Sequence, residues 1–181
     1  MAAATQDKSA LAKRLMQAAY REGDFTLRSG RKSHYIIDKY GFETRPDLLR
    51  EIARALMELM PAGAKRLAGV ELGGVPLVTA VALETGLPFV IVRKGSKGHG
   101  LDRPFEGDLE PGEHVVLIED VATTAGAALA AAEALRKGGA GAVSVLLVVD
   151  RQEGAQEAFR AAGVPYRALF TRESLGIRAD K

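Results

Sequence analysis

The 181-residue chain has no cysteine. That absence excludes disulfides, thiolate metal ligands and a cysteine nucleophile, and it removes the usual reason to expect an oxidising compartment. No apolar run approaches the roughly 18 residues that a spanning helix needs, and the N-terminal MAAATQDKSALAKR lacks a basic start followed by an apolar block. Neither a membrane span nor a signal peptide is expected, and the chain reads as cytoplasmic. Charge of one sign is also scarce. The 25 Lys+Arg stand against 23 Asp+Glu, for a net charge of +2, too little for a protein built to neutralise a duplex backbone, so no nucleic-acid partner is expected. Internal repeats are absent. Neither a Gly-x-Gly-x-x-Gly fingerprint nor the Gly-Lys-Ser/Thr of a P-loop occurs.

What is present is a globular composition, 47% apolar and 27% charged. A chain of this length buries roughly 70% of its unfolded surface, enough for one core without staples, so 1–181 is read as a single domain. Leu11, Leu15, Ala18 and Ala19 recur at helical spacing and predict a helix over 7–22 ended by Gly23. Two short β-type runs, 25–27 and 34–38, bracket a basic turn. Pro46 opens a helix whose apolar stripe runs from Leu48 to Leu59 before Pro61 and Gly63 stop it. From residue 67 the order is regular: strand 67–72, helix 75–85, strand 88–92, a long loop, strand 114–118, helix 124–137, strand 142–149, helix 153–162, strand 166–170. Val115–Ile118 and 143–149 are apolar almost throughout, as parallel strands covered on both faces are. The expected fold is α/β with a doubly wound, mostly parallel sheet. Residues 1–45 form a hood of helix and short strands near the rim where open sheets bind ligands.

Four segments carry chemistry, the fourth made of two short rim pieces. In Val115-Val-Leu-Ile-Glu-Asp-Val-Ala-Thr-Thr-Ala-Gly-Ala127 an apolar strand delivers two carboxylates and then a small-residue turn opening a helix. Such a turn lets backbone N–H groups and threonine hydroxyls reach a phosphate that the helix dipole also favours. Glu119 and Asp120 repel phosphate but accept from sugar hydroxyls one ribose away, and together the two halves describe a ribose 5-phosphate. The competing structural reading makes Thr123 a helix N-cap beside a carboxylate pair. The stretch 93–112 is a connection of unusual length, with Arg93, Lys94, Lys97 and His99 in seven residues and glycines at 95, 98 and 100. That suits closure over a highly anionic group; the bland reading is a solvated basic loop. Phe25-Thr-Leu-Arg-Ser-Gly-Arg-Lys-Ser-His-Tyr-Ile-Ile-Asp38 is a hairpin with a basic turn. Arg151, at a strand's carboxyl end, is placed to pair with a substrate carboxylate or else with a nearby acid. Glu71-Leu-Gly-Gly-Val-Pro76 ends a strand and opens a helix, as a backbone pyrophosphate loop does.

The first segment resembles the ribose-phosphate motif of type I phosphoribosyltransferases. The run Arg93-Lys-Gly-Ser-Lys-Gly-His-Gly100, the hood stretch and Asp150-Arg-Gln-Glu153 resemble those of the orotate phosphoribosyltransferases within that family. Departures are Ala125 for the first glycine of the motif, Arg28 where lysine is frequent, Ile36 and Ile37 where aromatic residues are frequent, and Gly73 where lysine is frequent. The resemblance implies transfer of ribose 5-phosphate from 5-phosphoribosyl 1-diphosphate to orotate, with Mg²⁺ as cofactor and no direct side-chain ligation of the metal. It implies a homodimer sharing the 93–112 loop between subunits. The implied phosphoribosyl-diphosphate contacts are Arg28, Arg93, Lys94, Lys97, His99, Glu119, Asp120, Val121, Ala122, Thr123, Thr124, Ala125, Gly126 and Ala127. Lys97, His99 and Asp120 would be catalytic, and Thr123 and Arg151 would hold orotate. The alternatives are a phosphoribosyltransferase for another base and a phosphoribosyl-diphosphate-sensing regulator.

Overall fold

The computed structural model describes residues 7–26, 30, 32–94 and 104–178. A six-stranded sheet has the order β5-β4-β3-β6-β7-β8, with β3 Arg66–Val70, β4 Phe89–Val92, β5 Phe105–Glu106, β6 His114–Ala122, β7 Ala142–Asp150 and β8 Tyr166–Thr171. All pairs are parallel except β4 with β5. Helices α4 Gly74–Thr85, α5 Gly126–Lys137 and α6 Ala155–Ala161 provide crossovers, and α3 Pro46–Met57 leads into β3.

Alternation along the strands builds two cores. On β6, Val116 and Ile118 join one apolar cluster with α3 and α4, while Val115 and Leu117 join the other with α5 and α6. Both faces of β6 and β7 are therefore covered, which is why these strands lack the polar alternation of a half-exposed sheet. Leu77, Ile118 and Leu135 have essentially no exposure, each worth roughly 1.5–3 kcal/mol of burial. Helix α4 approaches β3 closely because both contact positions are glycine: a Cβ on Gly69 would lie 2.5 Å from the Gly74 carbonyl oxygen.

The chain leaves β3 toward β4 and returns through β6 on the other side. The strand order thus reverses between β3 and β6, the place where open α/β sheets bind ligands beyond their carboxyl ends. Over this rim lies the hood: α1 Lys8–Ala19, the hairpin β1 Tyr20–Thr26 with β2 Lys32–Ile37, and α2 Tyr40–Glu43.

Several boundaries differ from the sequence reading. Helix α1 ends at Ala19, not near residue 22, because Tyr20 pairs with Ile37 and starts β1. Part of the long 93–112 connection is ordered as β5, paired along the edge of β4. Strand β6 continues four residues past Ile118, so Glu119 and Asp120 belong to the strand itself. Helix α5 begins at Gly126, two residues later than expected, after Ala125 at φ 62°.

Candidate active site

Glu119 and Asp120, at the carboxyl end of β6, are 6% and 3% exposed. They are buried charges at the switch point, and their neighbours decide their chemistry. One oxygen of Asp120, Oδ1, accepts from the Val121 N–H. The other, Oδ2, lies 2.7 Å from the Lys39 ammonium, brought in from the hood just before α2. Burial pulls the Lys39 ammonium down, but the hydrogen bond and charge of Asp120 hold it above its usual value. Burial pushes the Glu119 carboxyl up to about 8, with the Asp120 charge adding to the shift and Lys94 and Lys39 opposing it. Glu43 behaves alike: burial first, then Asp120, raise it to about 8 against the pull of Lys39. Three carboxyls thus crowd one rim, and burial raises two of them, Glu43 and Glu119.

Beyond β6 the chain turns through Thr123 and Thr124 into α5. The residue at the helix N-cap is Ala125, in the left-handed region, and it makes no side-chain capping bond. Thr123 is therefore not the cap. The first-turn N–H groups of α5 face a hollow of about 120 Å³ lined by Glu119 and residues 121–128, the arrangement in which helix starts bind anions. Helix α4 also starts without a side-chain cap, at Gly73. The turn before it is tied to the 93–112 segment, since Glu71 Oε1 accepts from the Lys94 N–H at 2.7 Å. Two larger grooves, about 700 and 710 Å³, run along the hood and the 174–178 segment; no strand-end carboxylate lines them.

Arg151 follows β7. Its N–H donates to the Ala122 carbonyl at 2.9 Å, so it stands beside the Thr123 turn. The side chain is 5% exposed. Its Nε is 2.8 Å from Glu153 Oε1, its Nη2 is 3.3 Å from Ser33 Oγ, and its guanidinium lies over the Tyr35 ring. Of the two partners expected of this position, a substrate carboxylate or a nearby acid, the structure shows the acid, Glu153, beneath the hood.

The structure thus brings together Lys94, Glu119, Asp120, the 121–127 turn and Arg151. Arg93 is directed to Glu106 on β5, with Nη1 2.8 Å from Oε1. Arg28, Lys97 and His99 lie outside the described residues. Sequence reasoning missed Lys39, Glu43, Ser33 and Tyr35, because their roles arise only when the hood folds over the sheet; the one available signal was a charged Asp38-Lys39 pair directly after an apolar run. Among the described residues no group of three or more His, Asp or Glu side chains converges to hold a metal ion. Nor is any helix of the described residues long and apolar enough to cross a membrane.

A family described as Phosphoribosyl transferase domain matches residues 42–159, more than half of the chain, and this match together with the switch-point geometry makes the protein a phosphoribosyltransferase. An orotate phosphoribosyltransferase of Methanocella arvoryzae is 46% identical over 161 residues, covering 88% of this chain and 92% of that protein. The crystal structure of orotate phosphoribosyltransferase from Aeropyrum pernix has a TM-score of 0.82 at 34% identity, covering 91% of this chain and 95% of that one. That of Mycobacterium tuberculosis orotate phosphoribosyltransferase in complex with 5-phospho-alpha-D-ribosyl 1-diphosphate has a TM-score of 0.78 at 31% identity, covering 95% and 100%. The chain belongs to the orotate phosphoribosyltransferase family.

Proposed function

We propose that the chain transfers the 5-phosphoribosyl group of 5-phosphoribosyl 1-diphosphate to N1 of orotate, giving orotidine 5′-monophosphate and pyrophosphate. The observation that carries this is the juxtaposition, across one strand end, of the uncapped start of α5 and the Glu119–Asp120 pair. The helix start takes the 5′-phosphate through residues 123–127, and the carboxylates accept from the ribose hydroxyls. As the C1′–oxygen bond to the diphosphate breaks, positive charge develops on the sugar, and the buried Asp120 carboxylate beside it is worth more than it would be in water. The backbone of 71–74, at the uncapped start of α4, and Lys94 serve the diphosphate side. Arg151, next to Thr123, pairs with the orotate carboxylate.

As the sequence resemblance implies, magnesium would enter with the diphosphate and would supply charge that neutralises the leaving group. Arg28, Lys97 and His99 enter on the sequence resemblance alone, Arg28 at the diphosphate and the other two on a loop that excludes water from the activated sugar. The same resemblance supports a cytoplasmic homodimer in which residues 93–112 of one subunit serve the site of the other.

The test is a spectrophotometric assay for loss of orotate absorbance on adding phosphoribosyl diphosphate and Mg²⁺. Orotate should be consumed while uracil and hypoxanthine are not. Consumption of either control base instead would replace orotate as the substrate.

A further inference from the structure

Gly73, at the turn from β3 into α4, occupies a point where three charged side chains meet. A Cβ built there would stand 1.9 Å from Asp120 Oδ2, 2.5 Å from Lys39 Nζ and 3.0 Å from Glu43 Oε1. Any side chain at 73 would therefore displace the contact between Lys39 and Asp120. The contact joins the hood to the sheet across 81 positions of sequence. Asp120 is nearly enclosed, with its side chain 5% exposed, whereas that of Lys39 is 27% exposed, so Lys39 is the more solvent-facing partner of the pair. With Val121 N–H on the other oxygen, Asp120 is held at both ends of its carboxylate. Glu43, 3% exposed and with neither oxygen hydrogen-bonded, sits behind the pair. Glu119 adds a second acid from the adjacent strand position. Without Lys39 in contact, one oxygen of the Asp120 carboxylate would lose its partner and the group its fixed orientation.

We propose that Lys39 is a positioning residue for ribose recognition: it fixes the Asp120 carboxylate toward the sugar hydroxyls, and the bare Gly73 is the opening that admits its ammonium. This rests on the reading above that Asp120 receives the ribose. Lys39 acts through Asp120 and not on the diphosphate, which separates it from the loop cations.

The experiment is titration calorimetry with three probes, phosphoribosyl diphosphate, orotidine 5′-monophosphate and pyrophosphate, on wild type, Lys39→Met, Lys39→Arg, Asp120→Asn and the Lys39→Met/Asp120→Asn double variant. Lys39→Met should weaken both ribose-bearing ligands about tenfold or more, the scale of a lost hydrogen bond to a charged group. Pyrophosphate should change by less than about twofold, the scatter expected of independent sites. Lys39→Arg should recover most of the loss, and the double variant should bind ribose ligands no worse than Asp120→Asn. Equal loss of pyrophosphate, additive losses in the double variant, or unchanged ribose binding would each overturn the proposal. Lys39→Gln, shorter and neutral, should reproduce the ribose-specific loss, so the inference stands or falls even if Lys39→Met does not fold. A wild type that binds no ribose ligand would overturn the reading beneath, independently of these comparisons.

Discussion

The guanidinium of Arg151 lies 4.4 Å from the centre of the Tyr35 ring, so a residue from the sheet's rim stacks on one from the hood. The two are fixed from opposite sides. Tyr35 stacks in turn on Tyr20 with ring centres 5.8 Å apart, and Arg151 is held by Glu153. A guanidinium has five donors, so these contacts leave capacity for a planar carboxylate. Arg151→Ala should raise the KM for orotate roughly tenfold to a hundredfold, as expected for a lost charge-assisted pair, with little effect on phosphoribosyl-diphosphate affinity. Steady-state kinetics with each substrate varied in turn would check this; an orotate KM near wild type would remove Arg151 from the base site.

The loop cations make a separate prediction. Lys97→Ala should lower kcat by roughly 10²-fold or more, as removal of a transition-state charge contact does, while leaving nucleotide affinity nearly unchanged. If residues 93–112 act across subunits, mixing Lys97→Ala with Arg151→Ala should restore activity, because one site of each heterodimer then has both residues. Absence of recovery after subunit exchange is verified by mass spectrometry would argue for loops acting within their own subunit.

Much of this architecture was legible from residues 67–170, and the reason is physical. Val115, Val116, Leu117 and Ile118 are apolar on both faces, and only a strand sandwiched between helix layers needs that. The apolar run stops at Ile118, and burying acids in a central strand is costly; the structure tolerates it by pairing Asp120 with Lys39 and raising Glu119. The hood was harder. The helical spacing that ends at Ala19 carries no mark of the change at Tyr20, since pairing with Ile37 decides it. Phe105 and Glu106 looked like loop because a two-residue edge strand has no period to read. The phosphate turn and the carboxylate pair were visible as contiguous sequence. The Lys39, Glu43 and Gly73 meeting point was not, because its members come from three elements.

The phosphate turn offers a test of backbone conformation. Ala125 has φ 62° and is buried, a conformation that costs an L-residue roughly 1–2 kcal/mol and a β-branched one more. Ala125→Gly removes the strain together with one buried methyl, so stability should stay within about 1 kcal/mol of wild type and ligand binding should persist. Ala125→Val should destabilise by about 2 kcal/mol or more and fill the 120 Å³ hollow, weakening phosphoribosyl diphosphate. Denaturant melts and calorimetry on both variants would check the pair. A valine variant that binds normally would place the 5′-phosphate elsewhere.

The raised carboxyls predict how stability depends on pH. Glu43 moves from 4.5 to about 8 on folding, chiefly through burial, and Glu119 moves the same way. Between those values the folded chain keeps a proton that the unfolded chain has released. The stabilisation is complete below 4.5 and is lost as pH rises toward about 8, so stability should fall across that window. Lys39, held above 10.5, does not titrate there. Glu43→Gln stays neutral throughout and should flatten the slope. Relative to wild type its melting temperature should gain with pH, the gap being larger near about pH 8.5 than near about pH 5. Thermal unfolding of both proteins at the two pH values checks the sign: a gap that narrows with rising pH would mean that Glu43 is ionised in the folded protein, with Lys39 serving it as well as Asp120.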